Sequence, residues 1–168
     1  MFGGVDVDFS FIYKYIQNIN IDYKEFNLNV INNYLSFIKD NFQNKSVIIL
    51  SVGLPCLDDE NFIKSILHNQ VNFYEENPIN ILEKNSINYD LPDIYKRTEI
   101  TLHFNKILEE EIIKLNNSNI KYLDTTSFTY DSELKRIKDE HFTRYDHHSF
   151  TRNVYIGKII DEYLLKSI

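Results

Sequence analysis

Apolar residues recur along this chain with two different periods, which predict an alternation of helices and strands. Between about Asn27 and Phe42 they are spaced three or four residues apart and form one stripe, as in an amphipathic helix. The run at 47–52, VIILSV, is short and largely β-branched, and Gly53 and Pro55 follow it. This pattern is typical of a buried strand that enters a loop.

The second half of the chain shows the same alternation. A helix is expected from about Asp93 to Asn117, and a short strand at 120–124 follows an Asn-rich turn. The last helix is expected to begin near Ser149, which is a good N-cap residue. Residues 54–92 show no clear period beyond short helical pieces.

Strands that alternate with helices form parallel sheets, because the chain must cross back over the sheet between strands. We therefore expect an α/β fold, a three-layer α/β/α sandwich with a parallel sheet, in one domain over residues 1–168. The ligand site of such a sheet lies beyond the carboxyl ends of its strands. One crevice would then be lined by the turn at 3–6, the loop at 52–55, the loop after Asp124 and the loop before Ser149.

The composition is that of a globular protein of a reducing compartment. Hydrophobic residues make up 43% of the chain and aromatic residues 14%, which is enough for a real core. The net charge of −7 favours neither nucleic acid nor an anionic membrane as a partner. Cys56, the single cysteine, cannot form an internal disulfide, and Asp6 and Asp8 stand where a signal peptide has basic residues. A cytoplasmic location is expected.

The densest group of chemically competent side chains is RYDHHS at 144–149, directly before the last helix. Histidine titrates near neutral pH, and a neighbouring carboxylate can orient its ring and stabilise its charged form. Asp146 can in this way hold the ring of His148, or of His147 as a substitute, and leave Nε2 free as a base. The alternative is a polar capping loop, since Asp146 and Ser149 both suit a helix N-terminus.

Other candidate residues carry weaker signals. Ser51 lacks the Gly-x-Ser-x-Gly context of a nucleophilic serine, and Cys56 lacks a visible electropositive setting. Arg97 either binds an anion or forms an ion pair on the helix surface with Glu99, Asp93 or another acidic neighbour. The histidine and aspartate residues near the C-terminus lack the spacing of a metal site, so no metal is expected.

Four short motifs together span most of the chain: Gly3-Gly4-Val5-Asp6, Val47–Pro55, Arg97-Thr98 with Phe104-Asn105, and Asp146-His147-His148. In this order they resemble the SGNH (GDSL-like) hydrolase-fold superfamily, in the variants attached to sugar and polysaccharide biosynthesis. The resemblance implies a His–Asp base and substrate-binding roles for Gly3, Gly4, Asp6, Gly53, Arg97, Asn105 and Arg144. The glycines would offer backbone N–H groups to a developing oxyanion.

The chain departs from that family in three places. The opening Gly-Asp-Ser strand, which supplies the family's serine nucleophile, has no counterpart, so the first strand is expected to be missing. Relatives often have Glu at the position of Gly4 and Arg at that of Asp8. The usual Asp-x-x-His spacing is Asp-x-His here. The resemblance therefore favours the fold and the base over serine hydrolysis.

The resemblance implies an acetyltransferase that uses acetyl-CoA as acyl donor and a nucleotide-linked amino sugar as acceptor. An amine needs only a base to remove its proton during attack, so no acyl-enzyme is required. Local Arg or Lys residues and backbone N–H groups would have to hold the phosphates. Two alternatives stay open: a carbohydrate esterase, whose serine lies outside this chain or is Ser51, and a non-catalytic module that binds sugar or holds an oligomer together.

We predict that the protein is a homo-oligomer. If Met1 is the start of the chain, the expected three-strand sheet is small and leaves an unpaired edge, which a second copy can cover. Light scattering at high micromolar concentration should then give at least twice the mass of one chain. A monomer under those conditions would contradict this prediction.

Overall fold

The structure is a computed structural model, and it describes residues 22–62, 91–142 and 150–165. Its longer elements, in chain order, are helix α1 (Tyr23–Asn41), strand β1 (Val47–Leu50), helix α2 (Ile94–Leu115), strand β2 (Ile120–Leu123) and helix α3 (Phe150–Leu165). Between β2 and α3 lie two short strands, β3 (Tyr130–Asp131) and β4 (Arg136–Ile137), and a 3-10 turn (Asp139–His141). No helix in these ranges is both long enough and apolar enough to span a bilayer.

The elements predicted within these ranges are confirmed, with small shifts at their ends. Helix α1 begins earlier than expected because Asp22 caps it, its carboxylate accepting the Lys24 N–H at 2.8 Å. Helix α2 ends where Asn116 adopts the left-handed conformation at φ 49°, which Asn tolerates better than most residues. Strand β1 ends at Leu50, two residues before the expected end, for a reason that belongs to the site described below.

Strands β1 and β2 are parallel neighbours, as the sequence predicts. Val47 lies opposite Ile120 and Leu50 lies opposite Leu123, and α2 forms part of the connection between the two strands. The fold is therefore broadly α/β, with a small parallel sheet of two strands among the described residues. The antiparallel pair of β3 and β4 was not predicted and forms a separate two-stranded sheet.

The main core lies between the two long helices and one face of the parallel sheet. Along β1 the side chains alternate: Ile49 is 3% exposed and faces this core, whereas Ile48 is 37% exposed. Burial of each large side chain contributes about 1.5–3 kcal/mol. The apolar residues buried here are Ile31, Leu35, Ile38, Ile49, Val52, Leu57, Phe62, Ile100, Phe104, Leu108, Ile112 and Ile120.

A buried polar side chain of α1 bonds α2, in addition to the exposed bond that the Tyr23 hydroxyl donates to Glu99 at 2.8 Å. Asn27 is fully buried, and its Nδ2 donates to the Ile100 carbonyl at 3.3 Å and lies 3.4 Å from His103 Nδ1. Because an amide nitrogen only donates, Nδ1 must accept in this contact, and the imidazole is then neutral. Burial lowers the pKa of His103, and the nearby Lys24 ammonium adds to the effect.

We predict that acidification destabilises the protein through His103. Its folded-state pKa lies below the ordinary value of 6.5, so the unfolded chain binds more protons than the folded chain between those two pKa values. The contribution of the neutral His103 side chain to the free energy of unfolding is complete above pH 6.5. It is lost as the pH falls through the folded-state pKa. Thermal unfolding between about pH 7.5 and 5.5 should show a smaller decrease of Tm for His103→Gln than for wild type. Equal decreases would show that another group is responsible.

Candidate functional site

Two loops leave the parallel sheet side by side at the carboxyl ends of its strands. The loop at 51–57 follows β1, and the loop at 124–129 follows β2. Polar side chains that are buried concentrate in these loops and on α2, which is unusual because burying a polar group is unfavourable unless it is hydrogen-bonded. They are Ser51, Thr125, Thr126 and Thr129 in the loops, and Arg97, Thr98, Thr101 and Asn105 on α2.

Ser51 ends the ladder of hydrogen bonds between the two strands. Its N–H makes a regular ladder bond to the Leu123 carbonyl at 3.0 Å. A regular parallel ladder would continue with the Thr125 N–H donating to the Ser51 carbonyl. That N–H donates instead to the Ser51 hydroxyl, at 2.8 Å, and the two hydroxyls also lie 2.8 Å apart. The side chain of Ser51 thus replaces its backbone, which explains why β1 stops at Leu50.

The phenol of Tyr122 is a polar neighbour of the Ser51 hydroxyl. Burial raises the pKa of Tyr122, and the nearby carboxylates of Asp124 and Glu109 raise it further. The phenol therefore stays protonated at neutral pH and cannot serve there as a base. Neither Tyr122 nor Thr125 stands out in the sequence as a site residue, although both positions follow from the register once β1 and β2 are paired.

The loop after β2 is held by its own side chains. The Asp124 carboxylate accepts the N–H of Thr126 at 2.8 Å and its hydroxyl at 2.6 Å. The Thr129 hydroxyl donates to the Thr126 carbonyl at 3.1 Å. These local bonds and the contact of Thr125 with Ser51 satisfy the buried polar groups of the loop, so the direction in which the chain leaves β2 is well defined.

Asn105 of α2 makes a two-bond contact with the backbone of Val52. Its Oδ1 accepts the Val52 N–H at 2.7 Å, and its Nδ2 donates to the Val52 carbonyl at 2.8 Å. Backbone groups of successive residues in an extended chain point to opposite edges, so this contact lies on the edge away from β2. Asn105, which is 5% exposed, therefore takes the place of a neighbouring strand.

Arg97 of α2 holds the far end of the same loop. It is 3% exposed, and its Nη2 donates to the Leu57 carbonyl at 3.0 Å and to the Asp59 carboxylate at 2.7 Å. Its Nε donates to the Pro92 carbonyl at 3.2 Å. The guanidinium carbon also lies 3.9 Å from the centroid of the Phe62 ring, within cation–π distance. One side chain therefore connects the end of the β1 loop to the start of α2.

Arg97 does form an ion pair, but its partner is neither Glu99 nor Asp93, and the guanidinium does not lie on the helix surface. Glu99 lies 2.9 Å from the exposed Lys96 ammonium, and Asp93 caps α2 by accepting the Lys96 N–H at 2.8 Å. Arg97 points inward from the same helix and pairs with Asp59, which lies 38 positions earlier in the chain. The spacing of charges along a helix identifies neighbours on its surface, but it carries no information about a partner in a distant loop.

A second, smaller core lies under the loop after β1. Leu54 and Cys56 of the loop pack with Ile137 of β4, and each is at most 2% exposed. Cys56 is therefore a small buried side chain, as its context suggested. His141, which is 1% exposed, ends the 3-10 turn beside this core, with Nε2 3.5 Å from the Glu140 carboxylate. The described residues contain no group of three or more side chains arranged to hold a metal ion.

The predicted site residues divide into two sets. The first lies outside the described residues and comprises Gly3, Gly4, Asp6, Arg144, Asp146, His147 and His148. The second set, Gly53, Arg97 and Asn105, is brought together at the carboxyl edge of the sheet. Asn105 bonds the residue before Gly53, and Arg97 bonds Leu57 in the same loop.

Comparison with known proteins gives no relative. No family model matches the chain, and no curated protein or solved structure matches it. The interpretation of the site therefore rests on its geometry and on the four motifs described above.

We predict that the buried Arg97 contributes far more to stability than its exposed neighbour. Arg97→Met leaves the buried carbonyl of Leu57 and the partly buried carbonyl of Pro92 without their donor, which should reduce the free energy of unfolding by roughly 2–4 kcal/mol. Lys96→Met, the matched control, removes the exposed pair with Glu99 and the contact of the ammonium with the Tyr23 ring, and it should cost less than about 1 kcal/mol. Urea unfolding of the two variants measures both values. Similar losses would show that the Arg97 contacts are not what holds this loop.

Proposed function

We propose that this protein is an acetyltransferase that moves the acetyl group of acetyl-CoA to the amine of a nucleotide-linked amino sugar. The motif resemblance supports the class of reaction. The environment of Ser51 supports direct transfer over a route through an acylated serine.

A nucleophilic serine needs an accessible hydroxyl and a base within hydrogen-bond reach. Ser51 is only 8% exposed, and its hydroxyl accepts the Thr125 N–H and contacts the Thr125 hydroxyl. Its other polar neighbour in the part of the chain that the structure describes, Tyr122, has a raised pKa and holds its proton. These contacts fit a side chain that ends a sheet, and they are the observation that favours the transferase over an esterase based on Ser51.

In the proposed reaction, the amine nitrogen attacks the carbonyl carbon of the thioester. His148, or His147 in its place, removes a proton from the amine as the C–N bond forms, and Asp146 holds the imidazole in the required tautomer. The C–S bond then breaks, and the sulfur of coenzyme A leaves and takes up a proton. Backbone N–H groups of Gly3, Gly4 and Gly53 stabilise the oxyanion before the C–S bond breaks.

The substrate phosphates require positive groups in a chain of net charge −7. The guanidinium of Arg97 is buried and already bonded to Leu57, Asp59 and Pro92, so we assign it to holding the loop that contains Gly53. Arg144 and backbone N–H groups at helix N-termini would then bind the phosphates.

The same proposal includes the full architecture: one domain over residues 1–168, with three α/β/α layers, acting in the cytoplasm as a homo-oligomer. Helices α1 and α2 cover one face of the parallel sheet, and this supports the first two layers. The partly exposed Ile48 marks the face on which the third layer would pack.

We predict that His148→Ala lowers kcat by about 10²–10⁴-fold, because that is the typical contribution of a general base. Asp146→Asn should cause a smaller loss, and Ser51→Ala should change kcat little, although it weakens the end of the sheet. The rate of the wild type should decrease below about pH 6.5, where the base becomes protonated. Mass spectrometry of acetyl-CoA with a panel of nucleotide-linked amino sugars measures transfer, and calorimetry should show unchanged acetyl-CoA binding by His148→Ala.

His103→Gln is the matched control, since it removes a histidine that lies between α1 and α2 and should leave kcat unchanged. Loss of activity in Ser51→Ala equal to that in His148→Ala, or an acetylated serine, would establish the esterase route instead. If no acceptor of the panel is acetylated, the result supports the remaining alternative, a non-catalytic module that binds sugar or holds an oligomer together.

A further inference from the structure

Gly53 is the one accessible residue in the loop at 51–57. The six other residues of this loop are all buried, and Gly53 alone is partly exposed. It lies two residues beyond the last ladder bond of β1, at the carboxyl edge where ligands of α/β sheets bind.

The contact between Asn105 and Val52 determines where the N–H of Gly53 points. In a trans peptide the C=O of one residue and the N–H of the next point in opposite directions, and the described residues contain no cis peptide. The Val52 carbonyl points to Asn105 Nδ2, at 2.8 Å. The N–H of Gly53 therefore points away from Asn105, toward the side of β1 on which β2 lies.

On that side the regular partner of Gly53 is missing from the ladder. A continued parallel ladder would pair the Gly53 N–H with the Thr125 carbonyl. The Thr125 N–H donates to the Ser51 hydroxyl, so the ladder of hydrogen bonds between the two strands ends at Ser51. Within the described residues, no group accepts a hydrogen bond from the Gly53 N–H.

We propose that Asn105 is a positioning residue, which aims the N–H of Gly53 at the oxyanion of the reacting acetyl group. This inference rests on the proposed transferase function and refines the role of Asn105. Asn105 is not placed to contact the substrate directly, because its Oδ1 and Nδ2 both bond Val52 and the residue is only 5% exposed. Its amide instead fixes the two peptides on either side of Val52 and costs no reorganisation when the oxyanion forms.

Asn105→Asp tests the proposal, because it keeps the size of the side chain and an acceptor for the Val52 N–H. It removes the donor to the Val52 carbonyl and so frees the peptide that carries the Gly53 N–H. The expected result is a decrease of kcat by about 10²-fold, as for loss of an oxyanion donor, with the KM for acetyl-CoA nearly unchanged. Asn105→Leu, which is uncharged, should give the same result and excludes a simple effect of charge.

Thr101→Val is the matched control. Thr101 is fully buried on the same helix, and its hydroxyl donates to the Arg97 carbonyl at 3.0 Å, so this variant perturbs α2 without touching Val52. It should keep the kcat of the wild type at temperatures where all variants are folded. Equal losses of kcat in Thr101→Val and Asn105→Asp, a change confined to KM, or full activity of Asn105→Asp would each overturn the proposal.

A second measurement separates this proposal from the transferase function itself. Acetate is titrated into the ¹⁵N-labelled full chain, and the amide resonance of Gly53 is followed by NMR. If the wild type transfers no acetyl group, a shift of this resonance by acetate in wild type that is lost in Asn105→Leu still supports the positioning role. If the wild type neither transfers acetyl nor shows such a shift, the positioning role is rejected together with the transferase.

Discussion

Buried backbone groups need hydrogen-bond partners, and this requirement governs the point where the parallel strands end. The loop after β1 is almost entirely buried, yet it has left the sheet that would have bonded its N–H and C=O groups. Side chains supply the hydrogen bonds that the sheet no longer provides. The Asn105 amide bonds the backbone of Val52, and the Arg97 guanidinium bonds the carbonyl of Leu57. The backbone of this loop can be buried because α2 supplies those polar groups from within the core.

The same requirement explains the unusual character of α2. One face of the helix is apolar, through Ile100, Phe104, Leu108 and Ile112, and joins α1 and the sheet in the main core. Between positions 97 and 105 the helix also carries buried polar residues, and each of them has a partner in the backbone of a loop or of the helix itself. The helix is therefore both a packing surface and the source of the bonds that shape the site.

The periodic features of the fold were predictable from the sequence, and the long-range contacts were not. Spacing of apolar residues identified both long helices and both parallel strands, because burial on one face leaves a regular pattern. The early start of α1 was missed although Asp22, with Glu25 three residues later, is a recognisable capping signal. Strands β3 and β4 were missed because each is two residues long, which is too short for apolar and polar side chains to alternate visibly.

In the candidate site, Asn105 and Arg97 were identified as polar residues of interest, but their partners were not. Asn105 and Val52 are 53 positions apart, and Ser51 and Thr125 are 74 positions apart. No local rule of helix or strand relates residues at such distances. These pairs follow only after the strands are placed in register and α2 is packed over them.

The contacts of Arg97 have a consequence for variation in the sequence. Its Nε and Nη2 donate to the backbone carbonyls of Pro92 and Leu57, and a backbone carbonyl is present whatever side chain a position carries. A substitution at either of these two positions therefore keeps the acceptor, whereas a substitution at Arg97 removes the donor from both places at once. These contacts tolerate variation at the positions that accept, but not at the position that donates.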